Sequence, residues 1–276
     1  MRTVSVVTTC NGEGYHRYGR TMMAGFEAHV EKKVPLFVYN ENFSPDIESD
    51  RITFVDLERN CPDLRVFKTR HKNDPKANGH LKHKYRLIVQ WDKPRIKLRR
   101  FGQEQSFRWD AVRFSHKVFA IVHAASHCKS DVLVWMDADI VIHKAISSQL
   151  LLDCVPDDCL VSCLKRHQYS ECSFIGFNLN NPETHRFLND FRHFYTSDSL
   201  FKQREYHDSF LFDVVRRRFE RAGHQTHDIA NGKGFERGPG HVFEKSILGQ
   251  YMEHLKGGRK ERITPAAIPA EMARVG

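Results

Sequence analysis

Short apolar runs rich in β-branched residues recur along the chain and alternate with longer amphipathic segments. The runs lie at 4–8, 36–39, 52–55, 132–136, 160–164 and 174–179. Continuous apolar runs of this length are typical of strands that are buried on both faces of a sheet. Their alternation with helical patterns predicts an α/β fold with a mainly parallel central sheet that is flanked by helices.

Three segments have helical signatures. Between 110 and 127 apolar residues recur at steps of three and four, which gives one buried helix face. A second helix is predicted to begin near Asn181 and Pro182, a cap residue followed by a proline in the first turn, and to run to about 195. A third is predicted from about 205 to 221, with a basic last turn before Gly223.

Length and composition are those of a folded protein. The chain has 276 residues, 40% of them hydrophobic and 28% charged. A chain of this size buries roughly three quarters of the surface that its unfolded form exposes. We expect one domain over 1–260, with a basic insertion at about 65–108 and a tail at 261–276.

The cysteines and the apolar segments indicate the cellular compartment in which we expect the protein. Seven cysteines, an odd number without a CxxC pair, favour reduced thiols over a disulfide framework or a zinc knuckle. A strand-like run follows Met1 almost at once, so we expect no secretory leader, and no run reaches the roughly 18 apolar residues of a membrane span. We expect a cytoplasmic protein, with peripheral attachment to the inner face of a membrane as an alternative.

Positive charge is concentrated in one block. The segment 65–108 has fourteen Lys or Arg and three Asp or Glu, a net of +11, so the rest of the chain carries −2 of the total +9. Such a block, interleaved with aromatic residues, is suited to an anionic surface: a phosphorylated ligand, a polysaccharide, a lipid surface or nucleic acid. The alternative is a solvated insertion without a dedicated partner.

The sharpest chemical signal is an Asp-x-Asp pair that interrupts the apolar run 132–142. Asp137 and Asp139 follow a buried strand, and carboxylates are costly in apolar surroundings unless they are paired or bound to metal. At the carboxyl end of a strand, where α/β proteins bind ligands, both side chains can turn toward one divalent cation. That cation would bind a diphosphate. The alternative is a turn with two solvated aspartates.

A second signal lies near the carboxyl terminus, in the segment His-Leu-Lys-Gly-Gly-Arg-Lys. His254 offers an imidazole, the glycines Gly257 and Gly258 permit close approach of an anion to the backbone, and Lys260 offers a point charge. A neutral imidazole can complete the ligand set of a manganese-type ion, and an ammonium suits a phosphate. The alternative is a flexible basic tail.

Together, the strand with Asp-x-Asp and the late His-x-x-Gly-x-x-Lys segment resemble glycosyltransferases of the GT-A fold, most closely the family 8 retaining enzymes that include glycogenin. The resemblance implies a GT-A type, Rossmann-like catalytic domain. It also implies metal-dependent transfer of a sugar from a nucleotide-diphosphate donor, with UDP-sugars favoured, to an acceptor hydroxyl with retention. The acceptor would be a glycan or glycolipid.

The resemblance also assigns roles to individual residues. Asp137, Asp139 and His254 are expected to hold Mn²⁺ or Mg²⁺, and Asp137 also contacts the donor. Gly257 and Lys260 are expected to contact its diphosphate.

Two further residues are expected to be catalytic. Asp208, followed by Ser209 where the family often has glutamine, would lie near the sugar, and Arg113 would lie over the donor. If Asp208 were instead a general base for in-line attack, the outcome would be inversion. The nucleoside would lie over the ends of the first two strands, at Thr8, Thr9, Asn11 and Asn40. His241 lies in a glycine-rich loop and is either a cleft residue or structural.

Two other function classes fit parts of the sequence. A nucleotidyltransferase acting on a sugar phosphate would also use aspartates and a metal. The loop 11–14, Asn-Gly-Glu-Gly, weakly resembles the glycine-rich phosphate loop of such an enzyme. A basic nucleic-acid-binding protein would use the block at 65–108. Neither accounts for the joint presence of the two motifs, so nucleic acid is not the expected partner.

Overall fold

The computed structural model describes residues 2–80, 84–90, 95–101, 106–237 and 239–255, with backbone only for 84–90 and 95–101. Its strands are β1 (Val4–Asn11), β2 (Leu36–Glu41), β3 (Ile52–Asp56), β4 (Lys84–Gln90), β5 (Arg95–Phe101), β6 (Val132–Met136), β7 (Ile140–Ile142), β8 (Val161–Leu164), β9 (Glu171–Asn178), β10 (Thr226–Asp228) and β11 (Met252–His254). Its α-helices are α1 (Gly12–Gly14), α2 (Arg20–His29), α3 (Leu57–Asn60), α4 (Pro62–His71), α5 (Ala111–His127), α6 (Ser148–Asp153), α7 (Pro182–Thr196), α8 (Asp208–Arg221) and α9 (Val242–Lys245). A π-helical turn lies at Tyr15–Gly19, and short 3₁₀ turns lie at Phe107–Trp109, Ser199–Lys202, Lys233–Phe235 and Ile247–Gln250.

Seven strands form the central sheet in the order β10-β8-β9-β6-β1-β2-β3. The pairs β1–β2, β2–β3, β1–β6 and β8–β10 are parallel, whereas β9 runs antiparallel to both neighbours. The prediction of a mainly parallel α/β sheet is therefore confirmed, and each of the six predicted strands is present. Strand β9 begins at Glu171, three residues before the apolar run, because polar side chains are also buried there.

The three predicted helices are present as α5, α7 and α8. Asp110 caps α5 by accepting from the Arg113 amide at 3.2 Å, and Asn181 caps α7 by accepting from the Glu183 amide at 3.0 Å. Helix α8 begins at Asp208 rather than 205, since the preceding residue His207 is extended (φ −72°, ψ 158°). Gly223, at φ +93°, follows the helix in the left-handed region that favours glycine.

Apolar residues pack on both faces of the sheet. Adjacent residues of β1 point to opposite sides: Val6 joins the cluster that contains Phe26 of α2, and Val7 joins the cluster that contains Val118 of α5. This arrangement is the layered packing that α/β domains require. The range 65–108 begins inside α4, whose Phe67 lies in the second cluster.

Beyond α4 lie the two strands β4 and β5, which pair antiparallel with Lys84 opposite Phe101. All seven cysteines are free thiols, and six of them are buried. Within the part of the chain that the structure describes, no helix has the length and apolar character to cross a membrane.

A small separate sheet positions the end of the described chain. Strands β7 and β11 pair antiparallel, with His254 opposite Ile140 and Met252 opposite Ile142. The amide of Leu255 also donates to the carbonyl of Asp139 at 3.3 Å. These backbone contacts fix the position of His254, which is 115 positions after Asp139 in the sequence, beside the end of β6.

Gly176 offers a test of the packing between β9 and its surroundings. A Cβ atom added there would overlap Val155 Cγ2 and Ser162 Oγ. Gly176→Ala should therefore lower the free energy of unfolding by about 1–3 kcal/mol, the usual cost of overpacking. Urea denaturation measures it. The double variant Gly176→Ala/Val155→Ala should lose less than the sum of the single losses, because the shorter side chain relieves part of the overlap; strict additivity would contradict this packing.

Candidate active site

Two carboxylates and an imidazole converge at the carboxyl end of β6. Asp137 and Asp139 follow the fully buried strand Val132–Met136, and β11 brings His254 beside them. His254 Nε2 lies 3.1 Å from Asp139 Oδ1 and 3.7 Å from Asp137 Oδ2. One potential ligand atom from each residue lies within 4.8 Å of the others. The structure thus brings together the three residues that the sequence predicts as metal ligands.

The orientation of Asp137 is set by donors from two elements. Its Oδ1 accepts from Trp135 Nε1 at 2.7 Å and from Lys117 Nζ at 3.2 Å. Its backbone amide donates to the carbonyl of Ser173 at 2.9 Å. Since Oδ1 is occupied by these donors, Oδ2 is the oxygen that faces His254.

Lys117 is a buried cation that links two carboxylates. Its Nζ donates to Asp208 Oδ2 at 2.8 Å, to Asp137 Oδ1 at 3.2 Å and to the carbonyl of Cys172. It also lies 4.9 Å from the centre of the Trp135 ring. Burial opposes the charged form, but the two carboxylates outweigh it and raise the pKa of Lys117 above its ordinary value. The ammonium therefore stays charged at neutral pH.

The pKa values of Asp137 and Asp208 shift in opposite directions. Burial raises the pKa of Asp137, and the neighbouring charge of Asp139 adds to the increase although Lys117 opposes it. Burial also opposes ionisation of Asp208, yet Lys117 lowers the pKa of Asp208 below its usual value. A divalent cation at the cluster would favour the ionised form of Asp137, because a bound cation dominates the local charge.

Glu171 lies behind the imidazole. This buried residue of β9 has its Oε1 3.6 Å from His254 Nδ1, and its Oε2 contacts His241 Nε2 at 3.1 Å and Arg166 Nη2 at 3.5 Å. A carboxylate on the far side of a ligand histidine fixes the ring orientation and raises the basicity of the ligand nitrogen. His241 thus contacts the carboxylate behind the cluster and is not among the cleft-lining residues.

The cluster opens into a cleft of about 670 Å³. This volume is within the usual range of small-molecule sites, roughly 300–1,000 Å³. Its lining is mostly polar or aromatic and includes Thr9, Asn11, Glu41, Phe107, Arg113, Phe114, His116, Lys117, Asp137, Asp139, Arg166, Tyr169, His207, Asp208 and His254.

The cleft contains some of the residues expected at the nucleoside. Thr9 and Asn11 line it, whereas Thr8 is fully buried and does not. Asn40 is also outside the lining, because its side-chain amide turns away to donate to the carbonyl of Phe43 at 2.9 Å.

The remaining predicted residues are placed as follows. Asp208 and Arg113 both line the cleft, Asp208 buried and Arg113 exposed. Gly257 and Lys260 lie outside the described residues.

A second charged group, not predicted from the sequence, lines the cleft at the end of β2. Glu41 is buried, with its Oε1 2.5 Å from His116 Nδ1 and its Oε2 3.0 Å from Lys68 Nζ. Burial opposes ionisation, but His116 and Lys68 lower the pKa of Glu41. Lys68 also contacts Glu58 at 2.5 Å, so this member of the basic block is held by two carboxylates of the protein itself.

Comparisons with known proteins give remote similarities of fold. No family model matches the chain. No curated protein matches it either. The solved structures that resemble it include the bifunctional glycosyltransferase WbbM in its apo form, with 12% identity over 78% of this chain and 37% of that chain and a TM-score of 0.43.

Two structures of the glycosyltransferase GlyE of Streptococcus pneumoniae TIGR4 are also similar. The apo form has 9% identity over 83% of this chain and 46% of that chain, with a TM-score of 0.42. The other has 8% identity over 86% of this chain and 47% of that chain, with a TM-score of 0.46. The chain spans less than half the length of each of these proteins. Likenesses this remote assign no activity, so function is inferred from the side chains of the cleft.

Replacement of the buried cation tests the linkage between the carboxylates. Lys117→Met should lower the free energy of unfolding by about 3–5 kcal/mol, because it leaves carboxylates buried without their partner. Urea denaturation measures the loss. The double variant Lys117→Met/Asp208→Asn should recover part of it, since one of the stranded charges is removed. Equal stability of the single variant and the wild type would contradict the arrangement.

The difference in unfolding free energy between wild type and Lys117→Met depends on pH. The lowered pKa of Asp208 means that its contribution is present above its unfolded pKa of about 3.9 and is lost as pH falls through the folded value. The raised pKa of Lys117 means that its contribution is lost only as pH rises above about 10.4. The stability difference between wild type and Lys117→Met should therefore be largest near pH 8 and shrink as pH falls, because the carboxylates that the variant leaves without a cation take up protons at a higher pH than Asp208 does in the wild type.

Proposed function

We propose that the chain is a metal-dependent glycosyltransferase of the GT-A fold, related to family 8, that moves a sugar from a nucleotide-diphosphate donor to an acceptor hydroxyl. The observation that carries the proposal is the convergence of Asp137, Asp139 and His254 in the same cleft as Asp208. A UDP-sugar is the favoured donor, and a glycan or glycolipid is the favoured acceptor.

The donor atoms of the cluster fit a divalent cation. Two carboxylate oxygens and one imidazole nitrogen are a ligand set that suits Mn²⁺. Mg²⁺ would also suit the site, with water in place of the softer imidazole ligand. Asp137, Asp139 and His254 would hold the ion, and Glu171 would fix the imidazole. When bound, the ion neutralises negative charge on the diphosphate as it leaves.

Asp208 is suited to stabilise positive charge and not to remove a proton. Lys117 holds one of its oxygens at 2.8 Å and lowers its pKa, and a carboxylate with a lowered pKa is a weak base. In the transition state the anomeric carbon gains positive charge, which an ionised carboxylate stabilises. This property favours retention over in-line attack assisted by Asp208 as base.

The proposed step balances as follows. The bond between the anomeric carbon and the diphosphate oxygen breaks, and its electron pair leaves with the diphosphate. A new bond forms between the anomeric carbon and the acceptor oxygen, and the hydroxyl proton passes to the departing diphosphate oxygen, which becomes more basic as the bond breaks.

The donor would extend along the ends of β1 and β2. Thr9 and Asn11 would lie beneath the nucleoside, with buried Glu41 and its partner His116 at the side. Arg113, exposed on α5, would face the diphosphate. Contacts from Gly257 and Lys260 remain part of this proposal.

The loop at the end of β1 favours this function over a nucleotidyltransferase. Asn11 caps the short helix α1 by accepting from the amide of Gly14 at 2.8 Å. A phosphate-binding loop needs its amides free for the anion, whereas this amide is already engaged by a side chain of its own loop.

Loss of a metal ligand should abolish turnover. Asp139→Asn and His254→Ala are each expected to reduce Mn²⁺-dependent release of UDP from UDP-sugars by about 100-fold or more, because loss of a residue that only supports a metal ligand already costs about 10–100-fold. The affinity for Mn²⁺, measured by calorimetry on the same proteins, should fall together with the rate of UDP release. A panel of UDP-sugars is screened first by thermal shift with and without Mn²⁺.

His143→Ala is the matched control, since this histidine is exposed just beyond β7 and does not line the cleft. It should keep wild-type metal affinity and turnover. A normal rate in Asp139→Asn or His254→Ala would overturn the proposal.

A further inference from the structure

One exposed aromatic ring lies on the wall of the cleft. Four large apolar side chains are exposed among the described residues: Val66, Phe107, Phe235 and Ile247. Of these, Phe107 is 54% exposed and is the one that lines the cleft. An exposed apolar side chain on its own is ordinary, so its surroundings decide whether it has a function.

Phe107 is part of a continuous aromatic wall, which we define as Phe107, Phe114, Tyr169 and His207. The buried imidazole of His207 is at its centre, with ring centroids 5.5 Å from Phe107, 6.2 Å from Phe114 and 4.7 Å from Tyr169. All four residues line the cleft. Tyr169 and His207 are buried, so the ring surface that the wall presents to the cleft comes mainly from Phe107 and the half-buried Phe114.

The exposed ring is held in place by its backbone. Phe107 begins a 3₁₀ turn in which Arg108 accepts from the amide of Tyr206 at 2.7 Å. Trp109, the last residue of the turn, donates its Nε1 proton to the carbonyl of Arg204 at 3.1 Å. The turn is thus tied to the segment that leads into α8, so Phe107 is fixed over the cleft.

The aromatic wall is next to the carboxylate that we assign to the sugar. His207 directly precedes Asp208, and its Nδ1 lies 4.0 Å from Asp208 Oδ1. Arg166 lies beside Tyr169, to whose carbonyl its Nε donates at 2.6 Å. A hydrophobic surface bordered by a carboxylate and a guanidinium matches a sugar ring, which has an apolar C–H face and a rim of hydroxyls.

Strand order separates the aromatic wall from the predicted nucleoside position. In the central sheet, β6 lies between β1 and β9, and Asp137 directly follows β6. Thr9 and Asn11 are on the β1 side of the aspartates, whereas Tyr169 precedes β9 on the other side. The two halves of one cleft are thus available for two ligands.

We propose that the aromatic wall is the acceptor subsite and binds a pyranose ring of the acceptor saccharide, with its apolar face against Phe107 and its hydroxyls toward Asp208 and Arg166. The description of the bound saccharide as the acceptor rests on the proposed function. Binding of a saccharide at this wall is measurable without any transfer reaction.

The experiment measures saccharide binding to the full chain by saturation-transfer NMR and titration, with and without saturating UDP and Mn²⁺. The probes are methyl β-glucopyranoside, methyl β-galactopyranoside and methyl α-mannopyranoside, and open-chain sorbitol is the control without a ring. The variants are Phe107→Ala, Phe107→Tyr and Phe235→Ala. Phe235 is 45% exposed and lies outside the cleft lining, so it is a matched control.

At least one pyranoside should bind the wild type and sorbitol should not. Phe107→Ala should weaken that binding about tenfold, equivalent to about 1.4 kcal/mol, whereas Phe107→Tyr, which keeps a ring, and Phe235→Ala should stay within about twofold of wild type. Affinity for UDP with Mn²⁺ should change less than about twofold in all three variants.

Three results would overturn the assignment. They are no pyranoside binding to the wild type, unchanged pyranoside binding in Phe107→Ala, and loss of UDP affinity in Phe107→Ala, which would make the wall a nucleobase platform. Failure of the proposed function would be seen separately, as absence of metal-dependent UDP binding and of donor turnover in the wild type.

Discussion

The arrangement of the cleft depends on one buried ammonium group. Lys117 contacts Asp137, which belongs to the candidate metal cluster, and Asp208, which belongs to α8. Without a cation between them, two carboxylates in a poorly solvated site would repel each other, and one would take up a proton. Because Lys117 lies on α5, the packing of that helix against the sheet also sets the distance between the two acids. The position of α5 thus controls both groups.

The second constraint is the pairing of β7 with β11. Only three residues from each strand take part, yet the pairing determines whether an imidazole reaches the acidic pair. Contacts between positions so far apart in the sequence are costly in loop-closure entropy, so the short pairing needs support. Met252 of β11 and Ile142 of β7 are paired and belong to the apolar core, and Glu171 faces the imidazole of His254. Ligand placement and core packing therefore support each other.

The sequence predicts most of the sheet because its strands are apolar on both faces, which leaves a clear signal at β1, β2, β6 and β8. It predicts Asp137 and Asp139 because carboxylates after such a strand stand out. The start of β9 was missed, since Glu171, Cys172 and Ser173 do not resemble a buried strand. Their burial depends on tertiary contacts, such as those of Glu171 with a histidine and an arginine from other segments.

Lys117 was also missed, although a signal was present. It lies three residues after Phe114 and four before Ile121, on the apolar stripe of α5. A lysine on a buried stripe requires a carboxylate partner, but the partner, Asp208, is 91 positions away. Glu41 follows the apolar run of β2 in the same way. In each case the sequence indicates that a charge is buried, and only the fold identifies the partner.

The topology also explains why the cleft has two chemically different halves. At the end of β2, Glu41, His116 and Lys68 form a charged group, while the segment before β9 contributes aromatic rings. The two aspartates lie between these halves because β6 lies between β1 and β9 in the sheet. A transfer reaction needs two ligands to meet at one point with little freedom of orientation. A sheet whose strand order places the charged centre between two unlike surfaces meets that requirement with a rigid backbone, and under the proposed function Asp208 would be adjacent to both ligands.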